Sequence, residues 1–472
     1  MAEEDIIKAR LDHLGWLIEN SVDPYPAKAT ASESIARIVE KFAKDEISFD
    51  VNIAGRLTAM RNMGKASFGE ILSDFNKIQI YIKRDDDPQA YQIFKKTDIG
   101  DFVAVSGFVF RTKMGEITVH VKKFVFLAKS MKPLPEKWHG LKDEEQILRR
   151  RYLDILANEK SREKFIKRSA LISAVRKFLS EKGFTEVETP MLQGIAGGAE
   201  AEPFKTHHRT LNMDLYLRIA PELYLKRLLV AGFEKVYEIG RNFRNEGISS
   251  KHNPEFTMLE LYAAYSDYEG MMALCEEIIK YAASSLAGDE ASLVDAEKPF
   301  KRIFVFKALR EKTGIDFENN MEREFLAASA RKLNIEFEEN APSSKIFENI
   351  YEGILLKNVI EPVFLIDFPE EFSPLAKTKK GTRIAERFEL FINNMEIANA
   401  YSELNDPAAQ RRRLMRQSAR SAKDIDEDFL EALEYGMPPA GGLGIGIDRL
   451  AMVLTNSTSV KDVIIFPQLK TA

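Results

Sequence analysis

The stretch from Tyr237 to Tyr262, YEIGRNFRNEGISSKHNPEFTMLELY, contains two β-strand patterns joined by a polar loop from Asn245 to Pro254. Side chains alternate across a strand, so Asn242 and Arg244 share one face, as do Phe256, Met258, Glu260 and Tyr262. One face therefore carries an arginine, a carboxylate and two aromatic rings. A sheet face packed on a core would be apolar at these positions, because a buried charge without a partner is costly. A merely solvated face would seldom set Phe and Tyr beside Arg and Glu. The pattern predicts a hairpin with one face built to bind something polar.

Other segments supply matching chemistry. In RIAPELYLKRLL (218–229), Glu222 opens a helix that follows a strand, where a carboxylate also suits the helix dipole. In RFELFINNMEIANAYSELND (387–406), Asn399, Tyr401 and Glu403 share a face by alternation. Glu396 has the opposite parity and needs a bulge to join them. The segment supplies Glu389, Glu396 and Glu403, and paired carboxylates of this kind suit a hard divalent cation such as Mg²⁺, which takes one or two carboxylates and shares its other positions with substrate phosphates. The segment PPAGGLGIGIDRL (438–450) is a glycine-rich strand entering a helix. Its glycines let a flat ligand approach the backbone, and Arg449 stands ready for a phosphate or a ring. The spacing of Gly442, Gly444 and Gly446 is not that of a dinucleotide-binding turn.

The hairpin lies in a long α/β region. The pattern predicts a helix from Ser161, with Leu171, Val175 and Phe178 on one face and Gly183 as terminator. FTEVETPM (184–191) then alternates as a strand. Further strands are expected at LYLRIA, KVYEIGRNFR, EFTMLELYAAY, PVFLIDFP and RFELFINNMEIANAYSEL, and short turns between them predict an antiparallel sheet. Upstream, VNIAGRLTAM, KIQIYIKRD, DFVAVSGFVF and EITVHVKKFVFLA are short alternating runs, the pattern of a small β-barrel such as the OB-fold. Arg56, Arg61, Lys65, Phe68, Lys77, Tyr81 and Lys83 interleave basic and aromatic side chains there. Such a surface holds single-stranded nucleic acid by stacking and phosphate attraction. The expected organisation is a helical segment over residues 1–50, a barrel over 51–132, a linker helix region over 133–160 and a large α/β domain over 161–472.

With 472 residues, 45% hydrophobic and 30% charged, the chain has material for several folded domains. Its net charge of −5 argues against a uniformly basic nucleic-acid coat but leaves room for a local basic surface. Cys275 is the only cysteine, which rules out an intrachain disulfide and fits a reducing cytoplasm. The six histidines show no zinc-ligand spacing. The acidic, amphipathic N-terminus lacks the order of a signal peptide, and no apolar run reaches the roughly 18 residues needed to span a bilayer. No membrane partner is expected.

KFIKRSALISAVRKFLSEKGFTEVETPML (164–192), FRNEGISSKHNPEFTMLELY (243–262) and GGLGIGIDRL (441–450) resemble motifs 1, 2 and 3 of class II aminoacyl-tRNA synthetases. Their wording is similar to that of the bacterial lysyl-tRNA synthetases, over nearly the whole chain. The resemblance implies an α+β multidomain protein, with an N-terminal OB-fold barrel that binds the anticodon and a catalytic antiparallel sheet flanked by helices. It implies a ligase that activates L-lysine with ATP and transfers it to tRNA(Lys), as a homodimer using Mg²⁺. Arg244 and Arg449 would be catalytic, and Glu246, His252, Asn253, Phe256 and Glu396 would join them at ATP. Gly198, Glu222, Arg244, Glu260, Tyr262, Asn399, Tyr401, Glu403 and Gly444 would form the lysine pocket. Glu389 and Glu396 would hold the metal, and Arg61, Phe68 and Gln79 would touch anticodon bases. The alternatives are an aspartyl- or asparaginyl-type synthetase and a non-catalytic nucleic-acid-binding protein that kept the fold.

Overall fold

The computed structural model describes residues 3–29, 31, 33–134, 143–286, 293–357, 359–421 and 425–470, with side chains at 418–421 left out. Residues 135–142 of the expected linker and the last residues of the expected α/β domain lie outside this set. The chain divides into two compact units, Met1–Leu141 and Lys142–Ala472.

In the first unit, β1 (Asp50–Met63), β2 (Ala66–Ser73), β3 (Asn76–Lys83), β4 (Phe102–Arg111) and β5 (Ile117–Ala128) close into a barrel in the order β1-β2-β3-β5-β4. The alternation read from sequence is the alternation of burial: Ile53, Leu57, Ile78, Ile80, Val103, Val105, Val119 and Val121 fill the interior. Gly107 lies where the β4–β5 register shifts, and a Cβ there would strike the His120 carbonyl. The sequence reading passed over β2 and the short helix Pro88–Lys95, which Asp87 caps through the Ala90 N–H at 2.9 Å. Helices Glu3–Glu19 and Ile35–Asp45 are not a separate segment. Their Leu17, Ile35, Ile38 and Phe42 enter the barrel's own core.

The second unit is built on a sheet of eight strands: β6 (Thr185–Glu186), β10 (Lys235–Phe243), β11 (Glu255–Ala264), β12 (Lys301–Phe304), β13 (Val363–Pro369), β14 (Ile384–Ile392), β15 (Met395–Ser402) and β16 (Ala440–Gly446). Their order is β12-β13-β14-β15-β16-β11-β10-β6, antiparallel except for the outermost pairs β12–β13 and β6–β10. A separate three-stranded sheet holds β7 (Leu192–Gln193), β8 (Lys205–His208) and β9 (Met213–Leu217). LYLRIA therefore contributes to this small sheet, and FTEVETPM forms only the two residues of β6 before Pro190 interrupts it.

The helix predicted from Ser161 spans Glu159–Glu181, buries Leu171, Val175, Phe178 and Leu179, and is followed by Gly183 at φ +79°. Together with helices Tyr268–Leu286 and Ile447–Leu454 it covers one face of the large sheet, where Leu259, Leu261, Leu443, Ile445 and Ala398 pack. Asp448 joins these parts: its carboxylate accepts from Arg168 at 2.6 Å and from the Thr257 backbone N–H at 2.7 Å. A charged group only 3% exposed is tolerated because both of its oxygens are occupied. The other face of the sheet is left open for the site.

Candidate active site

The open face is made by parity. β16 lies at the centre, and its register sets Gly444 opposite Glu260 and Asn399, and Gly442 opposite Tyr262 and Tyr401. Directly opposed residues share a face, so these glycines form a trough between two walls of functional side chains. A Cβ at Gly442 would collide with Glu403 Oε1 and would stand 2.5 Å from Tyr262 Cε1; one at Gly444 would press on Met258 Cε at 3.2 Å. The bulge required by Glu396 is present: Glu389 pairs with Asn399 and Leu390 with Ala398, but Phe391 pairs with Glu396. This shift brings Glu396 onto the face of Asn399, whose Nδ2 donates to Glu396 Oε1 at 3.4 Å.

Two cavities open on this face. The larger, about 660 Å³, is lined by Gly198, Glu222, Arg244, Glu260, Tyr262, Asn399, Tyr401 and Gly444 together with Arg387, Glu389 and Glu396. The smaller, about 220 Å³, is lined by Glu246, His252, Asn253, Phe256 and Arg449. Arg244, Met258, Glu396, Asn399 and Gly444 border both. Arg244 is held by its own backbone, whose N–H donates to the Pro254 carbonyl at 2.8 Å, and its guanidinium lies 5.2 Å from the Phe256 ring centroid. Its Nε is buried without a hydrogen-bond partner, so that donor is left for a ligand. Arg449 donates to the Glu396 carbonyl at 2.8 Å and lies 3.1 Å from His252 Nε2. Burial and the Arg449 charge hold His252 below the usual histidine range, so its neutral ring can accept that contact.

The larger cavity is rich in carboxyl groups. Glu222 Oε2 accepts from the Tyr401 hydroxyl at 3.1 Å. Gly198, at φ +84°, lets the chain pass close to Glu222, because a Cβ there would lie 3.1 Å from that residue's Cβ. Glu260 has only long contacts, to Asn242 Nδ2 and the Tyr262 hydroxyl at 3.5 Å each. Burial, reinforced by Glu222, pushes its carboxyl up to about 8. An acid whose folded pKa is raised contributes stability that is present below its unfolded value and is lost as pH rises through the folded one. Relative to Glu260→Gln, the protein should therefore lose on the order of 4 kcal/mol of unfolding free energy between pH 5 and pH 8 in urea titrations. A difference that does not change with pH would contradict this.

Glu403 stands one layer back from the other residues named for the lysine pocket. It does not line the cavity; it stands behind Gly442 and Tyr262, 1% exposed, with Lys226 Nζ 2.5 Å from its Oε2. Two other residues that the sequence did not single out grip Glu389: Arg387 donates to its Oε1 at 2.5 Å and the Tyr351 hydroxyl to its Oε2 at 2.9 Å. Burial pushes Glu389 up to about 7, with Arg387 opposing and Glu396 adding to the rise. Among the described residues no group of three or more His, Cys, Asp or Glu side chains could hold a metal alone. A pair of carboxylates beside a ligand cavity fits a hard cation that takes its remaining oxygens from phosphates.

On the barrel, Arg61 pairs with Phe68, Phe68 with Tyr81 and Glu70 with Gln79, so Arg61, Phe68 and Gln79 share the outer face. An aromatic row runs across it, with centroids at 5.0 Å for Phe68–Tyr81, 5.1 Å for Tyr81–His120 and 4.9 Å for Phe108–His120. Some of the basic residues are engaged elsewhere: Lys77 with Glu70 at 3.3 Å, and Arg56 over Phe102 at 4.3 Å.

The family model described as tRNA synthetases class II (D, K and N) matches residues 143–470. The chain belongs to the class II tRNA synthetases. A model of the OB-fold nucleic acid binding domain matches residues 51–127 of this synthetase. Similar proteins include one named lysine--tRNA ligase in Carboxydothermus hydrogenoformans, 50% identical over 99% of this chain and 98% of its own. Proteins of the same name in Moorella thermoacetica and Pelotomaculum thermopropionicum are each 49% identical over 99% of this synthetase and cover 98% and 96% of their own lengths. Among the described residues, no helix is long and apolar enough to cross a membrane.

Proposed function

We propose that this synthetase activates L-lysine with ATP to lysyl-adenylate and pyrophosphate, then transfers lysine to the 3′ end of tRNA(Lys). The observation that carries this reading is the pair of cavities meeting at Arg244, one ringed by carboxylates and the other lined by Phe256 and Arg449. Substrate lysine occupies the larger: Glu222 and Gly198 receive its α-ammonium, Asn399 and Arg244 its carboxylate, and Tyr262, backed by the buried Glu403, its ε-ammonium. Glu260, Tyr401 and Gly444 complete the walls. ATP occupies the smaller, with adenine between Phe256 and Arg449 and further contacts from Glu246, His252 and Asn253.

The substrate carboxylate attacks the α-phosphorus in line; a C–O–P bond forms, the P–O bond to the β-phosphate breaks, and pyrophosphate leaves. No proton moves in that step, so the protein must position the reactants and neutralise growing charge. Arg244, at the junction of the cavities, does both. Glu389 and Glu396 would hold Mg²⁺, which supplies charge neutralisation on the phosphates when bound. The Arg61, Phe68 and Gln79 face of the barrel, residues 51–132, binds anticodon bases. The enzyme works as a homodimer in the cytoplasm.

A pocket walled by Glu222 and Glu260, with Glu403 behind it, suits a side chain ending in a cation; an aspartate pocket would offer a cation instead. ATP–pyrophosphate exchange should therefore depend on lysine and on Mg²⁺. Exchange with aspartate or asparagine but not lysine would overturn the substrate assignment. None with any amino acid would favour a nucleic-acid-binding protein.

A further inference from the structure

Lys226 has no part in the roles assigned above, yet it is fully buried and touches two of the residues that carry them. It lies in the helix Glu222–Val230, and its Nζ is 2.6 Å from Glu222 Oε1 and 2.5 Å from Glu403 Oε2. The rings of Tyr262 and Tyr401 flank it, with centroids at 5.9 and 5.8 Å. An ordinary helical i,i+4 pair accounts for the contact with Glu222 but not for Glu403, which arrives from the end of β15, nor for complete burial. Glu403 Oε1 has no hydrogen-bond partner and rests against Gly442, a cavity-lining residue, while Glu222 itself lines the cavity.

We infer that Lys226 is a positioning residue for the amino acid: its ammonium bridges Glu222 and Glu403 and holds both carboxyl groups in orientation for the two ammonium groups of substrate lysine. The inference rests on the reading of the larger cavity as a lysine pocket. Glu222, Glu260 and Glu403 share one buried region, and like charges so enclosed relieve themselves by taking up protons. A protonated acid cannot attract an ammonium. One built-in cation between two of the three works against that pressure: burial holds the Glu403 carboxyl up to about 8, with Lys226 drawing it down. Its own charge is secure: burial alone would lower Lys226, but Glu222 and Glu403 together raise it above the usual lysine value. The groups that face this trio are Glu260 and Tyr262 from β11, Tyr401 from β15 and, beyond Tyr401, Arg387 from β14.

The test uses full-length enzyme and lysine-dependent pyrophosphate exchange, with each variant compared to wild type at the same pH. In Lys226→Met and Lys226→Gln, KM for lysine should rise about tenfold or more. KM for ATP should stay within about twofold, and Lys226→Arg, which keeps the cation, should recover most of the KM for lysine. An unchanged KM for lysine, equal rises in the KM values for lysine and ATP, or no recovery in Lys226→Arg would overturn the inference. If the buried single replacements do not fold, Lys226→Met combined with Glu403→Gln removes both charges of the pair. The double variant should then lose less in kcat/KM for lysine than tenfold beyond Glu403→Gln alone, because Lys226 acts through Glu403; full additivity would refute that. Absence of lysine-dependent exchange in the wild type would instead sink the underlying reading of the pocket.

Discussion

Replacing Arg244 with alanine should lower kcat for lysine-dependent pyrophosphate exchange by about 10²- to 10³-fold, the usual cost of deleting one fixed donor aimed at developing charge. The residue borders both cavities, its Nε is buried without a partner and its guanidinium lies 5.2 Å from the Phe256 ring centroid, so it stands where the two ligands meet with a donor still unused. Charge accumulates on the α-phosphate oxygens only as the carboxylate attacks, so the loss should fall mainly on kcat. KM for ATP should rise less, since Phe256, Arg449 and His252 remain. Arg244→Lys should recover little, because a compact ammonium cannot serve the substrate carboxylate and the phosphate with a planar fork. Rapid exchange in Arg244→Ala, or a loss confined to KM for ATP, would show that Arg244 binds nucleotide without taking part in the chemistry. The fold should survive, as no ion pair or side-chain hydrogen bond of Arg244 would be broken among the described residues.

The hairpin face was legible because strand parity is local: once Tyr237–Tyr262 reads as two strands, Phe256, Met258, Glu260 and Tyr262 must point the same way, and they do. The bulge after Glu396, at Ile397, was legible for the same reason, since five polar residues of mixed parity serve one face only if the ladder slips. The glycines of β16 signalled close approach, although the approach proved to be by Glu403 and Tyr262 as well as by a ligand surface. What stayed hidden depends on distant contacts. Lys226 looks like a helical partner of Glu222 until the end of β15 brings Glu403 to its other side. Arg387 and Tyr351 look like ordinary strand and helix residues until the fold sets them on the two oxygens of Glu389. β2 was missed because Gly69 breaks an already short alternating run, and its partners on both sides carry its register.

Glu403→Gln carries the second large effect. The carboxamide is nearly isosteric but neutral, so it removes one end of the Lys226 bridge and the charge assigned to the substrate's ε-ammonium together. Breaking one partner of a buried ion pair costs on the order of 3–5 kcal/mol, and Lys226, 0% exposed, would keep only Glu222. Part of that cost appears as lower stability in every state. The remainder appears as differential binding, because an ammonium brought into the pocket finds one carboxylate fewer and a competing internal cation less well neutralised. We expect kcat/KM for lysine to fall about 10²- to 10³-fold, with KM for ATP within about threefold of wild type, since Glu403 borders neither cavity directly. A neutral isostere of lysine, with a methyl in place of the ε-ammonium, should lose far less, narrowing the discrimination between the two. Equal losses for lysine and ATP would place Glu403 in the general architecture of the site. A loss for the neutral analogue as large as that for lysine would remove it from recognition of the side-chain cation altogether.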